Sequence, residues 1–187
     1  MLFTNKTTSK RYEIKKSIFI SHLAPIQEFK TLLKNLKEKH QKASHIIYAY
    51  RTLNEHYQII ENSSDNGEPK GCAGAPTLAV LRGEEIIESA IITVRYFGGI
   101  KLGTGGMIRG YGSAAKEVIK SSQLISYKKR VPIIFETSYH LVNRYEHYFK
   151  NMKIAFTDRE FKNENVIWRV QLTDDEILKL EEFKQNL

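Results

Sequence analysis

Seven of the eleven glycines fall between Gly98 and Gly112, inside the run RYFGGIKLGTGGMIRGYG. Glycine reaches positive φ and lets a ligand or a second backbone come close. Arg95, Lys101 and Arg109 set cations around this run, and Tyr96, Phe97 and Tyr111 offer faces on which a nucleobase could stack. A strand ending at Tyr96, a glycine loop and a helix start would turn free N–H groups and a positive dipole toward an anion. Gly98, Gly99, Gly103, Gly105 and Gly106 would supply the loop amides. The familiar nucleotide motifs do not fit. A P-loop requires Gly-Lys-Ser/Thr after its spacer, and Gly103 is followed by Thr104 and Gly105. A dinucleotide fingerprint starting at Gly103 and Gly105 requires glycine where Ile108 stands. Alternatively, some of these glycines serve only helix-on-sheet packing, a role that gives no reason for Lys101 or Arg109.

A second segment runs from Asp65 through Asn66, Gly67, Glu68 and Pro69 to Gly74. Asp-Asn-Gly favours a tight turn closed by side-chain-to-backbone bonds, and Pro69 holds Glu68 extended. Two carboxylates this close could bind a cation or act as acid and base, or Asp65 could bond its own backbone while Glu68 pairs with an arginine. Cys72 with His45 could form a nucleophile pair, although a lone cysteine usually acts as a small buried hydrophobe and His45 could be a structural donor. The six histidines and one cysteine show no zinc-ligand spacing. We therefore expect no cofactor, no metal and no catalytic residue.

The elements that position these segments follow from periodicity. Tyr12–Leu23 reads as a strand, and Pro25 opens a helix with Ile26, Phe29, Leu32, Leu33 and Leu36 on one face. His45–Arg51 is a strand, a short one follows near Ile59, and Asn62–Gly67 is a turn. Thr77–Leu81 and Ile86–Tyr96 read as strands joined at Arg82-Gly83-Glu84, and Ile108–Ser121 as a helix. After the linker 126–130 come strand Val131–Glu136, helix Tyr139–Lys150, strand Lys153–Phe156, strand Asn165–Leu172 and helix Asp174–Gln185. Thr173 is placed to cap that last helix. The expected class is α+β with two domains, 1–125 and 131–187. The second is β-α-β-β-α, one strand short of a ferredoxin-like sandwich, and its open sheet edge could join two copies as a homodimer.

The net charge is +8 and unevenly placed. Residues 1–125 hold 18 Lys and Arg against 11 Asp and Glu, whereas residues 126–187 hold 11 against 10. Such asymmetry fits an anionic partner, RNA first, with nothing specifying DNA; lysine-rich surfaces also serve solubility alone. Lys30, Lys34, Lys37 and Lys39 lie on one helix and fit that plainer role. The single Cys72 cannot form an internal disulfide, the N-terminal residues lack a signal-peptide apolar run, and no stretch nears the ~20 apolar residues of a membrane span. The expected location is the cytoplasm, away from any membrane.

Taken together, the two segments resemble the IMPACT/YigZ family. Asp65, Gly67, Glu68, Pro69, Gly71, Ala73 and Gly74 fall on its first motif, with Asn66 inserted. Arg95, Tyr96, Gly98, Gly99, Lys101, Leu102, Gly103, Gly105, Gly106, Arg109 and Tyr111 fall on its second. Cys72 stands where relatives usually carry Thr or Ser, which speaks against a family-wide thiol nucleophile, and Gly110 where Ala is usual. The resemblance implies an N-terminal domain folded like domain IV of elongation factor G and a ferredoxin-like second domain, here without its last strand. Both folds are associated with ribosomal RNA, and eukaryotic relatives regulate translation. The expected function is a non-catalytic, translation-associated protein that binds RNA or the ribosome. The alternative is an enzyme or binding protein for a small phosphorylated or acidic ligand, held between the Asp65–Glu68 turn and the glycine loop.

Overall fold

The computed structural model describes residues 1–154 and 156–187, with only the backbone at Phe156 and Thr157. The chain is α+β and divides into two units, Met1–Tyr127 and Lys128–Leu187.

In the first unit the alternation of apolar residues builds one antiparallel sheet. Its strands are β2 (Thr8–Ile14), β3 (Ser17–Pro25), β4 (His45–Leu53), β5 (Ile59–Ser64) and β6 (Ser89–Tyr96), in the order β2-β3-β6-β4-β5. The short β1 (Leu2–Phe3) pairs separately with β7 (Ile125–Ser126). The central strand β6 is buried from Ser89 to Arg95 because both of its faces are covered. Helix α1 (Phe29–Lys39) brings Leu36 against Ile46, Ile92 and Val94. Helices α2 (Gly74–Gly83) and α3 (Gly103–Lys120) bring Leu78, Leu81, Ala115 and Val118 against Leu23, Ala49 and Ile91 on the opposite face. Each such buried Leu, Ile or Val side chain contributes about 1.5–3 kcal/mol. The period-two pattern of β6 therefore sends Ile91, Thr93 and Arg95 toward α2 and α3, and Ile92 and Val94 toward α1.

Several sequence expectations change here. Tyr12–Leu23 is not one strand but a hairpin, turned at Lys15 and Lys16 with φ of 47° and 63°. Lysine gives no turn signal, since left-handed positions usually take Gly or Asn. Thr77–Leu81 is helical, within α2, although Thr77 and Val80 favour strands. Pro76 sits in the first turn of that helix, where it costs no hydrogen bond. Strand β6 begins at Ser89 rather than Ile86, after Glu85 and Glu88 at φ 51° and 50°. Helix α3 begins at Gly103, five residues before its expected start at Ile108.

The second unit follows the order β8 (Val131–Ser138), α4 (Val142–Asn151), β9 (Phe156–Phe161), β10 (Asn165–Leu172) and α5 (Asp174–Gln185). The strand expected at Lys153–Phe156 includes Ala155, which lies outside the described residues; β9 begins at Phe156. The antiparallel sheet runs β8-β10-β9, so β8 has no strand partner on its outer edge among the described residues. Trp168, Phe149, Leu172 and Leu180 form the core, and the indole N–H of Trp168 donates to Thr137 at 2.9 Å. Thr173 and Glu176 form the capping box of α5. No described helix is long and apolar enough to cross a membrane.

Candidate functional site

The acidic turn joins β5 to α2. Asn66 and Gly67 take φ of 40° and 86°, which folds the chain back on itself. The Asp65 carboxylate then accepts three backbone N–H groups: Gly71 at 2.8 Å on Oδ2, and Ala73 at 3.0 Å and Gly74 at 2.8 Å on Oδ1. Asp65 thus caps α2 across nine residues of sequence, and its charge lies at the positive end of the helix. Burial works to raise its pKa, but the three N–H donors outweigh burial and hold it below the ordinary aspartate value. Asn66 donates from its side chain to the Ile46 carbonyl at 2.9 Å, which ties the turn to β4.

Glu68 is turned inward, its side chain only 2% exposed. One carboxylate oxygen, Oε1, accepts from Arg95 at 2.5 Å and from the Tyr111 hydroxyl at 2.6 Å. The other, Oε2, lies 3.8 Å from Nε2 of His45. Burial, and after it the bond and charge of Glu68, push the Tyr111 phenol well above its ordinary pKa. The Arg95 guanidinium also lies 5.6 Å from the ring centroid of Phe19, and its Nε is buried without a hydrogen-bond partner among the described residues. His45 is partly exposed, with Nδ1 3.1 Å from the Asn66 carbonyl. β4, the acidic turn, β6 and α3 thus bring His45, Glu68, Arg95 and Tyr111 together. Arg95 is therefore no surface cation of the glycine loop. Its parity on a strand covered on both faces points it at α3, and Glu68, 27 residues upstream, neutralises it. That parity, shared with Ile91 and Thr93, was the signal available in the sequence. Cys72 is buried in the turn beside this cluster in sequence, with a free thiol.

The glycine segment has the opposite character. At Gly98 a Cβ would lie 2.0 Å from the carbonyl carbon of Lys16, so only glycine lets the loop pass against the β2–β3 turn. The Phe97 amide donates to Ser44 at 3.1 Å and the Gly98 amide to Ser17 at 3.3 Å, which fastens this stretch to β3 and to the residue before β4. Gly99 and Gly103 take φ of 82° and 69°. Gly103, Gly105 and Gly106 are not loop residues but the opening turn of α3, which has no side-chain cap and no acidic residue. Lys101 and Arg109 are exposed. Arg109 folds back over that turn, with a terminal nitrogen 3.7 Å from where a Gly105 Cβ would stand.

A cation at the positive end of a helix is unfavourably placed, and the first turn of α3 holds no acidic residue to offset it. The other eight arginines all donate to a carboxylate or a carbonyl, whereas Arg109 makes neither hydrogen bond nor ion pair among the described residues. Of the three aromatics singled out in the sequence, Tyr111 is fully buried and Tyr96 bonds His40 through its hydroxyl at 2.7 Å. Phe97 alone stands clear, 50% exposed. Sequence reasoning did not bring Lys15 and Lys16 to this place; two lysines interrupting an apolar alternation were the available sign.

Residues 15–119, more than half of the chain and all of the segments just described, match the Impact N-terminal domain. The IMPACT family member YvyE of Bacillus subtilis is 39% identical over 119 residues, covering 62% of this chain and 54% of that protein. The IMPACT family member YigZ of Escherichia coli is 36% identical over 122 residues, covering 63% and 58%. The chain thus spans little more than half the length of these curated relatives. A crystal structure of a hypothetical protein shares the fold with a TM-score of 0.71 and 27% identity, over 98% of this chain and 92% of that one. With its acidic turn and glycine segment both inside the matched region, this chain belongs to the IMPACT family.

Proposed function

We propose that this protein binds RNA, on the ribosome or free, and acts in translation as a binding protein rather than a catalyst. The observation that carries the reading is the unpaired Arg109 over the uncapped start of α3, with Lys101 exposed beside it and no acid in the first helical turn. Amides, dipole and two full charges there share one sign, and a phosphodiester supplies the missing one. The basic excess of residues 1–125 and the family's resemblance to rRNA-associated folds support the same reading. Lys101→Ala with Arg109→Ala should weaken RNA binding and flatten its salt dependence by about 1.4 units of log K per log salt, the share of two phosphates on a single strand. An unchanged slope would remove these residues from the interface.

One observation favours a rival reading. The partly exposed His45 has a buried carboxylate behind it, as an acid–base pair would. The anion clamp that such an enzyme needs is incomplete, because Arg95 is already committed to Glu68. A thermal-shift screen against nucleotides and inorganic phosphate discriminates the two. Stabilisation that disappears in His45→Ala would favour the small ligand.

A further inference from the structure

Phe97 and Ile100, three residues apart in the tip that follows β6, are exposed apolar side chains, 50% and 46% accessible. This tip is not a loose loop. Its backbone is pinned to Ser44 and Ser17 by the Phe97 and Gly98 amides, and Gly98 lies hard against the backbone of Lys16. The Lys15–Lys16 turn next to it is exposed and held at two positive φ values without a glycine. Lys15, Lys16, Lys101 and Arg109 make no ion pair among the described residues. Exposed apolar side chains on a pinned backbone, with Lys16 against Gly98, Lys101 next after Ile100 and Arg109 over the helix start that follows, match a polyanion that also offers flat apolar faces. A duplex offers the phosphates but keeps its base faces stacked inside, so Phe97 would gain nothing from it. Unpaired nucleotides offer both.

Building on the RNA-binding reading, we propose that the ligand is unpaired RNA: Phe97, with Ile100 beside it, stacks on a splayed base while Lys15, Lys16, Lys101 and Arg109 hold the flanking phosphates. Among the aromatics of the glycine segment Phe97 is the one placed to do this, because Tyr111 is fully buried and Tyr96 is half-buried with its ring edge-on to His40.

The test is fluorescence anisotropy of the full chain with labelled oligouridylate and with a blunt RNA duplex of equal charge, across a salt series. The wild type should bind the single strand at least tenfold more tightly. Phe97→Ala should lower single-strand affinity about tenfold with the salt slope unchanged, leave duplex binding as it was, and be rescued by Phe97→Trp. Equal affinity for strand and duplex, or a Phe97→Ala variant that binds the single strand like wild type, would overturn the base-stacking assignment. If the Lys101/Arg109 pair still lowers the slope, RNA binding by this surface stands without it; if that pair is also silent, the broader reading fails as well. Loss of ribosome association in Phe97→Ala with oligouridylate affinity intact would assign the tip to a protein partner and likewise overturn the proposal.

Discussion

The acidic turn and the glycine segment are both rich in glycine and charge, yet they differ in how those charges are met. Asp65 has three backbone donors and Glu68 has an arginine and a tyrosine, so both carboxylates are spent inside the fold. Among the described residues Arg109 has no such partner, and the N-cap of α3 makes no side-chain bond. A charge whose partner is internal specifies structure. A charge held out beside like-signed groups is free to meet a partner outside the chain. On the proposed reading the first region builds the platform and the second faces the ligand.

The sharpest way to break this contrast is to remove a partner from the buried pair. Glu68→Ala strands the Arg95 guanidinium and should cost about 3–5 kcal/mol in urea unfolding, with Glu68→Ala/Arg95→Met losing less than the sum of the single changes. Molecules that remain folded should bind RNA like wild type. A Glu68 variant of normal stability that no longer binds would move the functional site into the cluster. Next in size, Gly98→Ala drives a methyl into the Lys16 backbone and should cost about 1–3 kcal/mol by the same assay.

How far these regions were legible in the sequence depended on where each partner sits along the chain. Strand Asn165–Leu172 and helix Asp174–Gln185 were read to the residue, because alternation and a Thr173–Glu176 cap are local. Thr77–Leu81, inside α2, reads as a strand because the helix's cap, Asp65, lies nine residues upstream of Gly74 and Pro76 hides in the first turn. Arg95 was counted with Lys101 and Arg109 for the same reason, since Glu68 reaches it only through the fold. Lys101 and Arg109 were legible as exposed cations because nothing distant answers them. Exposure itself is not legible: Tyr96, Phe97 and Tyr111 look alike in sequence, and packing buries Tyr111, half-buries Tyr96 and leaves Phe97 exposed.

A smaller effect sharpens the structural side. Asp65→Ala should cost about 1–2 kcal/mol at neutral pH through the lost cap. The folded state holds the Asp65 pKa low, so the stability it contributes is complete above about pH 4 and is lost as pH falls through the lower folded value. The penalty measured in urea should therefore shrink between pH 7 and pH 3, and an equal penalty at both would argue against a charged cap.

The smallest expected effect on stability belongs to the residues with the largest expected effect on binding. Lys101→Ala with Arg109→Ala removes two exposed charges that make no hydrogen bond or ion pair among the described residues, so its unfolding curve should overlay that of wild type or shift slightly toward higher urea as the positive end of α3 is relieved. The most direct test of the account is co-sedimentation of this variant and wild type with ribosomes, at low and at physiological salt. The account expects wild-type binding that survives physiological salt and a fully folded variant that fails to pellet. Wild type that binds only at low salt, with the variant indistinguishable from it, would reduce the basic surface to a solubility feature and contradict the account.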